Sequence, residues 1–127
     1  MGRVVLDSSV VIALLEPTDP HHLAASKMIE KYQAHEFYIS AISLTESLMH
    51  PFAKGKGLKI AEQILAVVHQ VKPVDSNIAI DAARIRAEKD LGIGDALIAA
   101  TAASIDAELW TTDRRLGKSV KGARLLI

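Results

Sequence analysis

Four carboxylates stand where short apolar runs stop or start. Asp7 closes the run VVL at 4–6, Glu46 sits in SLTES at 43–47, Asp95 heads ALIAATAA, and Asp113 follows LWTT at 109–112. Brought close together, such groups repel one another, and their pKa values rise unless a cation joins them. Hard oxygen donors with no Cys or His in the set suit Mg²⁺ or Mn²⁺ rather than zinc. A carboxylate-held divalent ion with open water positions meets phosphate, where it activates and orients a water and stabilises charge in the transition state. Hydrolysis of a phosphodiester follows more naturally from this set than proton abstraction or acyl transfer. No serine–histidine–acid constellation, P-loop or G-x-G-x-x-G pattern competes with it.

The elements between the acids alternate. Arg3 to Leu6 is a β-branched run that reads as a buried strand ending at Asp7. Val10 to Leu15 reads as a short helix stopped near Pro17, and Asp19-Pro20 as the start of a second, from His21 to about Ala34. Phe37 to Ser40 is the second strand. Ser43 opens a helix that Pro51 kinks or ends, and Lys54 to Lys59, KGKGLK, is a basic glycine hinge. Leu58 to Gln70 is amphipathic, with Ile60, Ala61, Ile64, Leu65, Val67 and Val68 facing inward. Val71 to Val74 fits a short edge strand, since Pro73 cannot donate to a ladder. Asp75 or Ser76 caps a helix running to about Lys89. The stretch from Asp95 is apolar almost all round and belongs inside the protein; Gly92 and Gly94 before it allow backbone angles that branched residues avoid. Glu108 to Thr111 is a strand, Asp113 begins a turn of helix, and Ala123 to Ile127 is the last strand.

Strands alternating with helices imply an α/β fold, a mostly parallel central sheet between two helical layers. Function in such sheets gathers at the carboxyl ends of the strands. Asp7 and Asp113 follow strands directly, Glu46 lies one turn into the helix after the second strand, and Asp95 begins a helix that descends from the same edge. All four are expected on one rim. Each alone reads equally well as a helix cap or turn residue: Asp95 and Asp113 as N-caps, Ser43-x-x-Glu46 as a capping box, Asp7 as the first residue of a turn. Capping does not explain why all four fall on one edge, nor why acids stand where Ser, Thr or Asn would serve.

Bulk properties set wider bounds. The chain of 127 residues fits a single domain over 1–127, and its core is aliphatic, with 50% hydrophobic but only 4% aromatic residues. Fifteen basic and fifteen acidic side chains cancel, so any nucleic-acid contact rests on a local basic face. The absence of cysteine excludes disulfides and thiol chemistry and accords with the cytoplasm. No apolar run approaches the ~20 residues of a membrane helix. His21, His22, His35, His50 and His69 lack metal-ligand spacing. Arg114, Arg115 and Lys118 lie beside Asp113 and are the favoured phosphate contacts; Lys54, Lys56 and Lys59 are a second basic group with no assigned role. Trp110 reads as core.

The motifs VVLDSSVVIALL at 4–15, ISAISLTESLMHP at 39–51, GIGDALIAATA at 92–102 and LWTTDRRLG at 109–117 resemble those of PIN-domain ribonucleases, and most closely the VapC-type toxins of VapBC toxin–antitoxin modules. The resemblance covers nearly the whole chain. It implies an acid tetrad of Asp7, Glu46, Asp95 and Asp113 holding Mg²⁺ or Mn²⁺, with Ser9 and Thr111 as supporting hydroxyls. It further implies RNA cleavage, a homodimer, and inhibition by a cognate antitoxin covering the active-site groove. Two rivals stand beside it: a non-catalytic PIN-like binding module, and a phosphatase of the haloacid dehalogenase kind, which wants a second Asp where this chain has Ser9.

Overall fold

The structure is a computed structural model that describes residues 2–127. Five strands form one parallel sheet: β1 (Arg3–Leu6), β2 (Glu36–Ser40), β3 (Gln70–Lys72), β4 (Glu108–Thr111) and β5 (Arg124–Leu125), in the order β3-β2-β1-β4-β5. The seven helices are α1 (Ser8–Leu15), α2 (His22–Lys31), α3 (Ala41–Ala53), α4 (Gly57–Val67), α5 (Ser76–Glu88), α6 (Ile93–Ser104) and α7 (Arg114–Ser119). The register sets Val5 beside Tyr38 on one side and Leu109 on the other, so β1 is central and ends between its two neighbours.

Both faces of the sheet centre are covered, which is why the inner strands carry continuous apolar runs (VVL in β1, FYI in β2, LW in β4) rather than alternating ones. Val4, Leu6, Ile39 and Trp110 pack into one cluster with α1, α2 and α4. Val5, Tyr38 and Leu109 point the other way, into a cluster with Ile98 and Ala102 of α6 and Leu116 of α7. Side chains such as Ile39 and Leu109 are buried outright, each contributing roughly 1.5–3 kcal/mol. Outside α6 lies α5, joined through Ile78, Ala82, Ala96 and Ala100; small residues let the two helices approach closely. The three-layer α/β/α architecture expected from the alternation of elements is therefore present, with α6 as its buried helix.

Several boundaries differ from those expected of the sequence. Asp19 does not cap α2; its Oδ1 accepts the amide of His21 at 2.8 Å, a local turn that delays the helix to His22, and the helix stops at Lys31. Already helical at Ser8, α1 starts ahead of Val10. The third helix begins at Ala41, because Ser40 caps it by accepting the Ile42 amide at 3.2 Å. Pro51 lies inside α3, which continues to Ala53. In place of a hinge at Lys54 to Lys59 there is a tight connection. Gly55 takes φ 73°, and the Phe52 ring lies where a side chain on Gly57 would begin. In α4, Ile64 is buried and Ile60 packs on the core, but Leu65 and Val67 point to solvent. The edge strand β3 covers 70–72, ahead of Pro73, which lies beyond the ladder.

Candidate active site

At the carboxyl end of β1 the chain turns directly into α1, and Asp7 is held there almost fully buried. Its amide donates to the Trp110 carbonyl at 3.0 Å, which extends the β1–β4 ladder by one bond. Although Asp7 occupies the N-cap position of α1, its side chain makes no capping bond. Its Oδ2 instead accepts two hydroxyls, Ser9 Oγ and Thr111 Oγ1, each at 2.7 Å. Bonds to a charged acceptor are worth roughly 1.5–3 kcal/mol each. They fix one carboxylate oxygen in a buried site, while Oδ1 accepts no hydrogen bond among the described residues. Ser9 supplies a hydroxyl where the phosphatase reading wants a second carboxylate.

The same hydroxyls carry the connection to Asp113. Thr111 Oγ1 accepts the Asp113 amide at 3.0 Å, and Ser9 Oγ accepts the Thr112 amide at 3.1 Å. Asp113 itself caps α7, its Oδ1 accepting from Arg115 at 2.9 Å and Leu116 at 3.4 Å. Here the capping explanation holds.

It fails at the other two acids. Gly92, in ordinary extended backbone at φ −66°, is the N-cap of α6, so Asp95 lies within the first turn and caps nothing. Asp95 accepts no hydrogen bond among the described residues, and its pKa is pushed up to about 6. Burial is the largest cause; Asp7, Asp113 and Glu46 then add repulsion in that order, and only Arg115 opposes them. A first-turn carboxylate ordinarily gains from the helix dipole, so burial and repulsion together outweigh that gain. Nor does Glu46 form a capping box: the helix start is at Ser40, and the Ser43 hydroxyl is buried without a partner. A side chain on Gly94 would begin 3.5 Å from Glu46 Oε2, so the glutamate tip reaches the opening turn of α6. Asp95 on α6 thus feels acids from the β1–α1 junction, from α3 and from the β4–α7 junction.

The basic candidates separate. The guanidinium of Arg115 pairs with Asp90 on the α5–α6 connection. Arg114 and Lys118 are exposed and enter no ion pair among the described residues. Lys54 and Lys56 line a cavity of about 220 Å³ together with Glu46 and His50, whereas Lys59 does not. His22 bonds the Ala13 carbonyl at 2.7 Å and joins α1 to α2, in keeping with a structural role. Trp110 is buried, its Nε1 donating to Glu108 Oε1 at 2.6 Å. Asp90 carries no signal in the sequence; nothing local marks a partnership across 25 residues.

The PIN domain profile matches residues 4–121. The chain belongs to the PIN domain family. No curated protein matches it in sequence. Its fold is similar to those of FitAcB from Neisseria gonorrhoeae (22% identity, 96% of each chain covered, TM-score 0.78) and a toxin–antitoxin complex from Klebsiella pneumoniae (21%, 94% of each, 0.79). Another similar structure is VapC20 from Mycobacterium tuberculosis, a sarcin–ricin loop cleaving toxin (18% identity, 91% of this chain and 94% of that one, TM-score 0.74).

Among the described residues of this PIN domain, no three His, Asp or Glu side chains already close into a cage around an ion position. The chemistry of the four acids nonetheless fits a hard divalent ion: every donor is a carboxylate oxygen, Asp95 and Glu46 lack hydrogen-bond partners among the described residues, and none of the four is neutralised by an ion pair among them. No helix among the described residues is long and apolar enough to cross a membrane.

Proposed function

We propose that this PIN domain is a divalent-metal-dependent endoribonuclease, one nuclease unit over residues 1–127, and the toxin of a VapC-type pair in the cytoplasm. The observation that carries the reading is the condition of Asp95, a carboxylate whose ionisation is opposed by burial and by three acids from other elements. Such an arrangement costs stability in the free protein and would be relieved by a bound cation, whereas a cap would carry a bond to a helix amide, which Asp95 lacks.

Asp7, Glu46, Asp95 and Asp113 would hold Mg²⁺ or Mn²⁺. When bound, the ion supplies a water of lowered pKa and charge stabilisation at the phosphorus. Ser9 and Thr111 fix the orientation of the Asp7 carboxylate through the bonds to its Oδ2. The Thr111 bond to the Asp113 amide keeps the fourth acid in register with the first. Glu46 Oε2 lies beside Gly94, next to Asp95 in the opening turn of α6, and neither acid has another hydrogen-bond or ion-pair partner among the described residues, so both would be available to a cation. Arg114, Arg115 and Lys118 contact the phosphates of the RNA. The likeness to a sarcin–ricin loop cleaving toxin and to a toxin–antitoxin complex supports RNA as substrate and an antitoxin as inhibitor. Exposed Met49, Phe52, Leu58 and Leu65 on α3 and α4 offer an apolar face for the proposed homodimer.

The test is cleavage of single-stranded RNA with Mn²⁺, with EDTA, and by Asp95→Asn. Cleavage that needs the metal and disappears in the variant supports the reading. Equal cleavage by parent and variant overturns the site.

A further inference from the structure

Arg115 differs from the other cations of its cluster in how firmly it is placed. Its amide donates to Asp113 Oδ1, so its backbone is fixed to the fourth acid. Its guanidinium reaches Asp90, on the connection that leads into α6 and therefore to Asp95. That connection is itself fastened. Lys89 Nζ donates to the Ser119 carbonyl at the end of α7, and Arg86 Nε donates to the Leu91 carbonyl at 3.1 Å. Asp90 and Lys89 thus grip α7 at both ends, and Arg115 is held across the gap between two elements that each carry an acid of the rim. Arg115 is also the one cation among the principal influences on Asp95; Arg114 and Lys118 are not.

Four carboxylates with one divalent ion still leave uncompensated negative charge where a phosphodiester has to approach. A cation at the rim removes that obstacle. Both side chains of the Asp90–Arg115 pair are solvent-exposed, 94% for the aspartate and 63% for the arginine. Exposed pairs contribute little net stability, so exchanging one anionic partner for another costs little. The guanidinium fork matches phosphate as well as it matches carboxylate.

We propose that Arg115 is the phosphate clamp of the acid rim and Asp90 its resting partner, a carboxylate that holds the guanidinium beside the centre until an RNA phosphodiester displaces it. This deepens the nuclease reading and rests on it for the substrate, though not for the ion-pair exchange itself. Asp90 then competes with RNA for one cation, and removing its charge acts only through Arg115.

The experiment is a double-mutant cycle on RNA affinity, read by the anisotropy of a short fluorescent single-stranded RNA with Ca²⁺ present. Arg115→Ala is expected to weaken binding about tenfold and to lower the slope of log K against log salt by about 0.7, one phosphate contact on a single strand. Asp90→Asn is expected to tighten binding about threefold in the parent and to change nothing in the Arg115→Ala background. Tightening that persists in that background means general charge removal and overturns the proposal. Weakening by Asp90→Asn in the parent means that the pair merely fastens α7, and overturns it too. Circular dichroism confirms that each variant is folded. Should the cycle hold while Mn²⁺ gives no cleavage in the parent, the nuclease reading falls and the clamp stands. Should the parent cleave while the two substitutions prove additive, the clamp falls and the nuclease reading stands.

Discussion

Replacing Asp95 by Asn is expected to make the metal-free protein more stable, the opposite of what losing a helix cap would do. The folded pKa of about 6 lies above the ordinary 3.8, so the folded state holds this proton more tightly than the unfolded chain does. Below pH 3.8 Asp95 is neutral in both states and the penalty is absent. It grows as pH rises from 3.8 to 6 and is complete above that. Two units of pKa at 1.36 kcal/mol each set an upper limit of about 3 kcal/mol. Asp95 is only partly buried, so solvent screening brings this to about 1.5 kcal/mol. Asn forfeits a few tenths of a kcal/mol with the helix dipole, leaving a net gain of about 1 kcal/mol, or a rise in Tm of about 4 °C. Thermal unfolding in EDTA at pH 4 and pH 8 measures it: the variant should exceed the parent at pH 8 and match it at pH 4. Saturating Mn²⁺ should then raise the parent more than the variant, by roughly 2.7 kcal/mol at a hundred times the Kd. A variant no more stable than the parent at pH 8, or a gap that ignores pH, refutes the claim that the four acids burden one another.

Three further substitutions separate roles that the structure combines. Asp113→Asn keeps a good capping side chain, so stability should stay within about 0.5 kcal/mol while RNA cleavage falls by about 100-fold or more; equal activity would reduce Asp113 to a cap. Thr111→Val keeps the shape of a fully buried side chain but removes a donor to Asp7 and an acceptor for Asp113. It should cost about 1–3 kcal/mol in denaturant unfolding and weaken Mn²⁺ binding, by calorimetry, about tenfold or more. Ser43→Ala deletes a buried hydroxyl with no partner and should be neutral or slightly stabilising, whereas Ser40→Ala should cost about 1 kcal/mol. The reverse order in chemical denaturation would restore the capping box at Ser43 and Glu46.

Strands β1 and β4 are legible to the residue, because short β-branched or aromatic runs flanked by acids admit few other readings. The position of Asp7 and Asp113 beyond the ends of two neighbouring parallel strands is legible for the same reason. Helix starts are less legible wherever two polar residues compete for the cap. Ser40 prevails over Ser43 because the helix begins directly off β2, and Gly92 caps α6 without a side chain to announce it. Asp19 misleads for a related reason, since its oxygen serves a turn ahead of the helix. The outward position of Leu65 and Val67 is out of reach, as periodicity shows that a helix has an apolar side and not how much of that side the sheet covers. Asp90 and Arg115 meet through the packing of the α5–α6 connection on α7, a relation no local pattern encodes.

The Thr111 bond to Asp7 joins residues 104 positions apart, and β1 cannot complete its ladder until β4 arrives beside it. A chain still emerging from the ribosome therefore carries its first three acids as scattered, solvated groups. Only after residue 113 has left the tunnel, and the slow long-range pairing of β4 with β1 has closed, does the fourth join them. Anything that loosens the β1–β4 ladder therefore releases Asp7 and Asp113 together, since one threonine hydroxyl at its end bonds to both.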